Sequence, residues 1–151
     1  MDNREKKMSP KEECEFLAGI LLPFAEKQIR WEDEFYPFGA VLANNNSIEM
    51  TNINEENDYP DAKKVMQNLI DSHKQLADKG KIRASGIVWK TVMKDSNGED
   101  IDAITVSLEH KDNYSVVIAK SYKIKGLIKK GIFKIIKFND LCAFEGKHDI
   151  F

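Results

Sequence analysis

The feature that most constrains the fold is a row of four predicted strands between residues 86 and 138, of which residues 102–110 form the clearest. In that strand Ile104, Val106 and Leu108 alternate with polar residues. A period of two residues is typical of a strand that has one face in the core and the other in water. Because only short turns separate the four strands, we expect an antiparallel meander.

The first of two predicted helices has a clear start signal. Ser9, Pro10 and Glu12 fit an N-cap, a first helical position and a capping box. Pro23 removes one internal hydrogen bond, so we expect the helix to kink or restart near Leu22. Its apolar stripe consists of Phe16, Leu17, Ile20, Leu21 and Phe24.

The second helix is also bounded by recognisable signals. Asp58 or Tyr59 fits its cap, Pro60 its first position, and Gly80 its end. Residues spaced three and four apart then define one apolar face. This face consists of Val65, Met66, Leu69, Ile70, His73, Leu76 and Ala77.

The remaining strands fall on either side of this helix. Residues 38–43 and 48–53 predict a hairpin around the Asn-rich loop at 44–47, since Asn tolerates left-handed backbone geometry. Residues 82–94 are apolar on both faces in their middle and predict a central strand. The other strands are predicted at residues 101–110, 114–122 and 132–138.

The order of elements, α-β-β-α-β-β-β-β, predicts the α+β class. With two helices on one face of an antiparallel sheet of five to six strands, we expect a two-layer sandwich in a single domain of residues 1–151. The order loosely resembles the profilin-like or roadblock-like arrangement, which by itself implies no function. The hydrophobic fraction of 42% and the charged fraction of 32% fit a globular protein with a well-solvated surface.

Cysteine usage and the apolar segment near the start of the chain bear on location. Cys14 and Cys142 match no metal or redox spacing, which favours reduced thiols, with a disulfide between them as the open alternative. The apolar run at residues 16–25 follows glutamates rather than basic residues, and it is too short to span a bilayer. We therefore expect a cytoplasmic protein with no membrane partner.

The sequence contains no specific catalytic, metal-binding or nucleotide-binding motif, so no catalytic residue, metal or cofactor is predicted. His73 lies on the apolar face of the second helix and is interpreted as a structural histidine. Glu109 and His110 are neighbours in one strand and point to opposite faces, so they should not pair. The acidic residues before Cys14 are expected to raise the pKa of its thiol.

Six residues are candidates for binding a ligand or a partner. Acids and aromatics before the first strand could rim a pocket at the end of the sheet, although they also fit a helix-to-strand turn. In residues 102–110 the apolar side chains should serve the core, which leaves the polar face and the strand end for function. The candidates are Glu34, Tyr36, Thr105, Ser107, Glu109 and His110.

Seven lysines and no acidic residue lie between Asp112 and Asp140. Such a basic strip could bind nucleic acid or another anionic surface. It contains no arginine, however, and lysines on outer strands also prevent aggregation. Nucleic acid is therefore an unfavoured partner. The lysines are Lys120, Lys123, Lys125, Lys129, Lys130, Lys134 and Lys137.

Residues 34–40, residues 102–110 and the ending Asp149-Ile150-Phe151 together resemble a set of small bacterial proteins described only as uncharacterised. The resemblance covers nearly the whole chain. It implies a bacterial single-domain α+β protein, and it assigns no activity and no catalytic residue.

Three functions are compatible with these features. The leading hypothesis is a small non-enzymatic interaction protein, for example an immunity-type protein that blocks a toxin. Its partner would be another protein or a second copy bound through an edge strand. The first alternative is a ligand-binding domain or minor enzyme with a pocket near Glu34, Tyr36 and His110, and the second is nucleic-acid binding through the lysines. Whether the chain is an enzyme at all stays open, and the absence of catalytic motifs favours a negative answer.

Overall fold

A computed structural model of the chain describes residues 7–31, 35–52, 61–128 and 133–151, and for Ile128 and Phe133 the backbone only. The described part forms one antiparallel sheet in the order β2-β1-β3-β4-β5-β6, together with two helices. This confirms the α+β class and the predicted order of elements. The elements are α1 (Pro10–Trp31), β1 (Phe38–Ala43), β2 (Ile48–Thr51), α2 (Ala62–Asp78), β3 (Ile82–Lys94), β4 (Asp100–His110), β5 (Tyr114–Ile128) and β6 (Phe133–Glu145).

The two last strands are longer than predicted. Pairing of β4 with β5 ends at Ala103 and Ser121, whereas β5 and β6 continue to pair as far as Ile128 and Phe133. The extra segment is a two-stranded extension of the sheet. Lysines interrupt its apolar pattern, so its alternation is weaker than that of β4.

The helices lie on opposite faces of the sheet, whereas the sequence suggested one shared face. A Cβ added at Gly86 would lie 2.7 Å from Leu21 of α1, and one added at Gly39 would lie 3.0 Å from His73 of α2. Since Gly86 pairs with Ala40, the neighbour of Gly39, the two glycines face opposite sides. We call these sides the α1 face and the α2 face. Because β1 and β3 are apolar on both sides, each face needs its own cover.

Helix α1 begins as predicted and covers the larger core. Ser9 and Glu12 form the capping box, with the Ser9 N–H donating to Glu12 at 3.0 Å and the Glu12 N–H to Ser9 at 3.1 Å. The helix continues through Pro23 to Trp31 without a restart. Of the predicted apolar stripe, Leu17 and Leu21 are buried but Phe16 and Phe24 are about half exposed.

The core beneath α1 is built from residues of four strands. They are Phe38, Ala40, Leu42, Ala84, Val88, Ile104, Val106, Leu108 and Tyr122. The predicted core residues of β4 are therefore confirmed. Neither helix of the described part is long and apolar enough to cross a membrane.

Helix α2 begins two residues later than its predicted first position. Its N-cap is Asp61, whose carboxylate accepts the Lys63 N–H at 3.0 Å, while the predicted caps and Pro60 lie outside the described residues. An acidic N-cap satisfies an otherwise unpaired N–H at the positive end of the helix dipole. On the α2 face Val65 and Leu69 pack against Ile87 of β3.

Candidate functional site

The structure describes five of the six candidate residues, and it does not bring these five together in one place. Glu34 lies outside the described residues. Tyr36 lines a cavity of about 470 Å³ between α2 and β3, close to Trp89. His110 pairs with Ala84, on the α1 face and five residues along β3 from Trp89, roughly 17 Å away. The described candidates therefore do not converge on one pocket.

The polar face of β4 is buried rather than exposed to water, which corrects the sequence interpretation. Thr105, Ser107 and Glu109 are only 7%, 8% and 3% exposed. The hydroxyl groups of Thr105 and Thr91 lie within hydrogen-bond distance of each other, at 2.7 Å. The alternation of apolar and polar residues in β4 does not show whether a distant segment packs over the polar face. The burial of that face could therefore not be inferred from the sequence of β4 alone.

That cover includes residues 146–151, here called the strap, which leave β6 and cross the α2 face. At Gly146 an added Cβ would lie 2.3 Å from the backbone of Ser115, so only glycine fits where the strap crosses β5. Further along, Ile150 is buried against Val65, Leu69 and Ile87. The strap and α2 thus share one small core.

The side chain of Glu109 holds the strap by binding backbone N–H groups of the strap. Its carboxylate accepts the N–H groups of Asp149 and Ile150 at 3.1 Å each and that of Phe151 at 3.4 Å. Burial raises the pKa of Glu109, and the three N–H donors oppose this effect. Glu109 therefore acts as an anchor for a peptide segment, a role that its place in the alternating pattern of β4 did not indicate.

On the α1 face, His110 belongs to a buried ionic cluster that the sequence did not predict. Its Nε2 lies 2.8 Å from Glu13 Oε1, and Arg83 Nε lies 2.9 Å from Glu13 Oε2. Arg83 also donates to the Ala43 carbonyl at 3.0 Å and to Asn46 Oδ1 at 2.7 Å. The cluster joins α1 to the β1–β2 hairpin, β3 and the end of β4.

The hydrogen bonds of the cluster indicate which ring nitrogen of His110 donates to Glu13. The Asp112 N–H donates to His110 Nδ1 at 3.0 Å, so the ring proton is on Nε2 and is donated to Glu13. The guanidinium of Arg83, which donates hydrogen bonds to Glu13, lowers the pKa of that carboxyl, against an opposing effect of burial. Both ring nitrogens of His110 are therefore engaged in hydrogen bonds.

His73 is fully buried, as the structural interpretation required. Its Nδ1 lies 2.7 Å from Ser85 Oγ and its Nε2 lies 2.7 Å from Thr51 Oγ1. One ring nitrogen donates and the other accepts, which satisfies a neutral imidazole. Burial lowers the pKa of His73 from 6.5 to about 4.

We expect this buried histidine to make the protein less stable as the pH falls. The unfolded chain takes up a proton at His73 near pH 6.5, but the folded protein does so only near pH 4. The stabilisation by neutral His73 is therefore complete above pH 6.5 and decreases by about 3 kcal/mol as the pH falls to 4. Urea unfolding at pH 7 and pH 4.5 measures this loss of stability. In His73→Gln the free energy of unfolding should depend less on pH.

The matched control for this measurement is His148→Gln, which removes an exposed histidine. It should keep the pH dependence of the unmodified protein. Glu109, with its raised pKa, favours the folded state as the pH falls, so only the difference between variant and parent isolates His73. An unchanged pH dependence in His73→Gln would contradict the assignment.

The cysteines are both free. Cys14 is buried, and its pKa is raised to about 12, first by burial and then by the nearby Glu13 carboxylate. Cys142 is exposed on β6. Within the described ranges, no three His, Cys, Asp or Glu side chains form a group able to hold a metal ion.

The lysines do not form one continuous basic surface in the part of the chain that the structure describes. Lys120 pairs with Glu26 at 3.5 Å, and Lys134 is buried. Lys123 and Lys137 are exposed and lie opposite each other on adjacent strands. Of the others, Lys125 is exposed, whereas Lys129 and Lys130 lie outside the described residues.

The two edges of the sheet differ strongly. One edge strand, β2, has 4 residues, whereas the other, β6, has 13. Among the described residues no strand pairs with the outer side of β6. Three large apolar side chains of β6 are about half exposed, namely Ile135 at 46%, Leu141 at 52% and Phe144 at 49%.

Comparisons with protein-family models, curated proteins and solved structures found no match to this chain. Three features of the structure guide the functional proposal below. They are the long edge of β6, the strap held by Glu109, and the cavity beside Tyr36.

Proposed function

We propose that this protein is a non-enzymatic interaction module that binds another polypeptide along the outer edge of β6. The observation that carries the proposal is the length of this edge strand together with its half-exposed Ile135, Leu141 and Phe144. Proteins usually shorten or cover such an edge, because its free N–H and C=O groups can pair with another chain. The 4-residue β2 follows that rule at the opposite edge, whereas β6 has 13 residues and is paired on one side only in the described part of the chain.

Strand addition accounts for both the backbone and the side chains of this edge. An added strand would satisfy the outer N–H and C=O groups, and apolar side chains on either face would cover the exposed ones. Phe144 pairs with Val117 on the α2 face, and Leu141 pairs with Lys120 on the α1 face. A partner strand would therefore contact apolar groups on both faces.

The enzymatic alternative has less support. The titratable groups it needs are engaged elsewhere, since Glu109 binds the strap and His110 pairs with Glu13 on the other face. The cavity near Tyr36 is lined mainly by apolar and aromatic groups with two lysines, Lys63 and Lys90. Nucleic-acid binding is also less favoured, because Lys120 is paired with an acid and Lys134 is buried.

Capture experiments with matched variants test the proposal. The unmodified protein, Phe144→Lys and the control Val92→Lys are each used as bait in a lysate of the source organism. Val92 is exposed on β3, so its variant adds the same charge away from the β6 edge. We expect one protein, which could be the chain itself, to be retained by the parent and the control and about tenfold less by Phe144→Lys.

Two results would contradict the proposal. One is equal retention of the captured protein by Phe144→Lys and by the parent, which would place the contact elsewhere. The other is the absence of any captured protein, including a second copy of the chain. Circular dichroism of all three baits establishes that the variants are folded.

A further inference from the structure

We infer that the polypeptide bound along β6 is a second copy of the same chain, paired antiparallel so that Ile135 of each copy lies opposite Phe144 of the other. This inference rests on the proposed function, because it identifies the partner of that same edge. It follows from the self-complementary charge, face pattern and apolar exposure of β6.

The charges of β6 are divided between its two halves. Lys134 and Lys137 lie in the first half, and Asp140 and Glu145 lie in the second. Two such strands in parallel would place like charges together. Antiparallel pairing instead places the basic half of each copy beside the acidic half of the other, which is favourable between neighbouring strands.

An irregularity in the middle of β6 restricts the possible registers. Leu141 pairs with Lys120 and Phe138 with Tyr122, so β6 has one more residue than β5 between these pairs. This bulge, at Asn139 and Asp140, shifts the alternation of faces between the two halves of the strand. If two copies of β6 pair antiparallel with the bulge at the centre, each residue lies opposite a residue of the other copy that points to the same face. This holds in the first and in the second half of the strand.

In this register, the residue numbers of any two residues that lie opposite each other in the two copies add up to 279. Ile135 then meets Phe144 on the α2 face, and Phe138 meets Leu141 on the α1 face. All three half-exposed apolar side chains of β6 gain an apolar neighbour in the other copy. Lys137 lies opposite Cys142 and diagonal to Asp140, within the reach of a long side chain.

A charge exchange tests both the partner and the register. Sedimentation velocity over a range of concentrations should show a dimer for the parent and for the control Val92→Lys. Ile135→Lys and Phe144→Glu should each weaken dimerisation by about tenfold or more. The double variant should recover the dimer, because each new lysine then faces a new glutamate in the other copy.

The double variant cannot recover the dimer through a contact between its two new side chains within one chain. Positions 135 and 144 are nine residues apart on one strand, roughly 30 Å. A pairing shifted by two residues would place Ile135 opposite Cys142, and the double variant would then stay weak. Failure of the double variant to recover therefore overturns the inference.

Cysteine crosslinking provides a second readout that does not depend on destabilising the edge. In the proposed register Lys137→Cys places a new thiol opposite Cys142 of the other copy, within the Cα separation that a disulfide allows. Mild oxidation should give a covalent dimer. The control Met50→Cys, exposed on β2 at the other edge, should give no covalent dimer. No crosslink in Lys137→Cys would overturn the register.

The outcomes distinguish this inference from the proposed function. A parent protein that is monomeric at all concentrations, yet retains a different protein through the β6 edge, overturns the inference and leaves the function standing. A monomeric parent that captures nothing overturns both. A dimer that Phe144→Glu and Ile135→Lys leave intact places self-association elsewhere and also overturns the inference.

Discussion

Glu13→Ala is expected to lower the free energy of unfolding by about 3 kcal/mol or more, the range found when one partner of a buried ion pair is removed. Glu13 accepts hydrogen bonds from both Arg83 and His110, and all three groups are largely shielded from water. Without the carboxylate, Arg83 keeps only its carbonyl and Asn46 acceptors, and the His110 N–H has lost its acceptor. Urea unfolding at pH 7 measures the loss.

The control for this variant is Glu15→Ala, because Glu15 is an exposed glutamate on the same helix. Its substitution should change stability by less than about 0.5 kcal/mol. A similar small change in Glu13→Ala would show that the cluster does not stabilise the fold.

The Glu13 cluster should also make part of the protein's stability sensitive to acid. Because the pKa of Glu13 is lowered in the folded state, the stabilisation is present above the ordinary value of 4.5 and is lost as the pH falls below it. Glu13→Gln, which cannot titrate, should lack this component. His73 contributes at higher pH, between 6.5 and 4, so the two effects overlap only at the acid end.

Glu109→Ala is expected to release the strap. Three backbone N–H groups would lose their acceptor together, and the buried N–H of Ile150 would cost about 1–3 kcal/mol if left unsatisfied. We therefore expect amide exchange in residues 149–151 to become at least 100-fold faster, since that factor corresponds to about 2.7 kcal/mol. Hydrogen exchange followed by mass spectrometry measures the change.

Two further variants make this result specific. Ile150→Ala removes the apolar anchor of the strap, so it should accelerate the same amides while leaving Glu109 intact. Glu99→Ala, at an exposed glutamate before β4, should leave them protected. Continued protection in Glu109→Ala would mean that apolar packing alone holds the strap.

The sequence predicted best where the signal is local. The alternation of Ile104, Val106 and Leu108 identified three core residues correctly, because strand geometry alone determines which side chains share a face. The capping box at Ser9 and the bounds of β3 were equally recoverable. His73 is buried, as expected, although its two hydroxyl partners were not foreseen.

The predictions were wrong or incomplete where segments far apart in the sequence come into contact. Thr105, Ser107 and Glu109 were expected to face water, and only the strap and α2 on the same face explain their burial. The partners of Glu13 lie 70 and 97 residues away in sequence, so no spacing rule could find them. Glu109 and His110 were rightly predicted not to pair, but the contacts each makes were not predictable.

The sequence by itself determined the α+β class, the order of the elements and the three core residues of β4, because local periodicity and turn chemistry encode them. Tertiary structure alone decided that the helices take opposite faces, that Glu109 anchors the strap, and that β6 is the longer of the two edge strands. These features depend on which segments a folded chain brings together. Short-range patterns carry no information about such pairings, since the packing that selects them exists only once the sheet has formed.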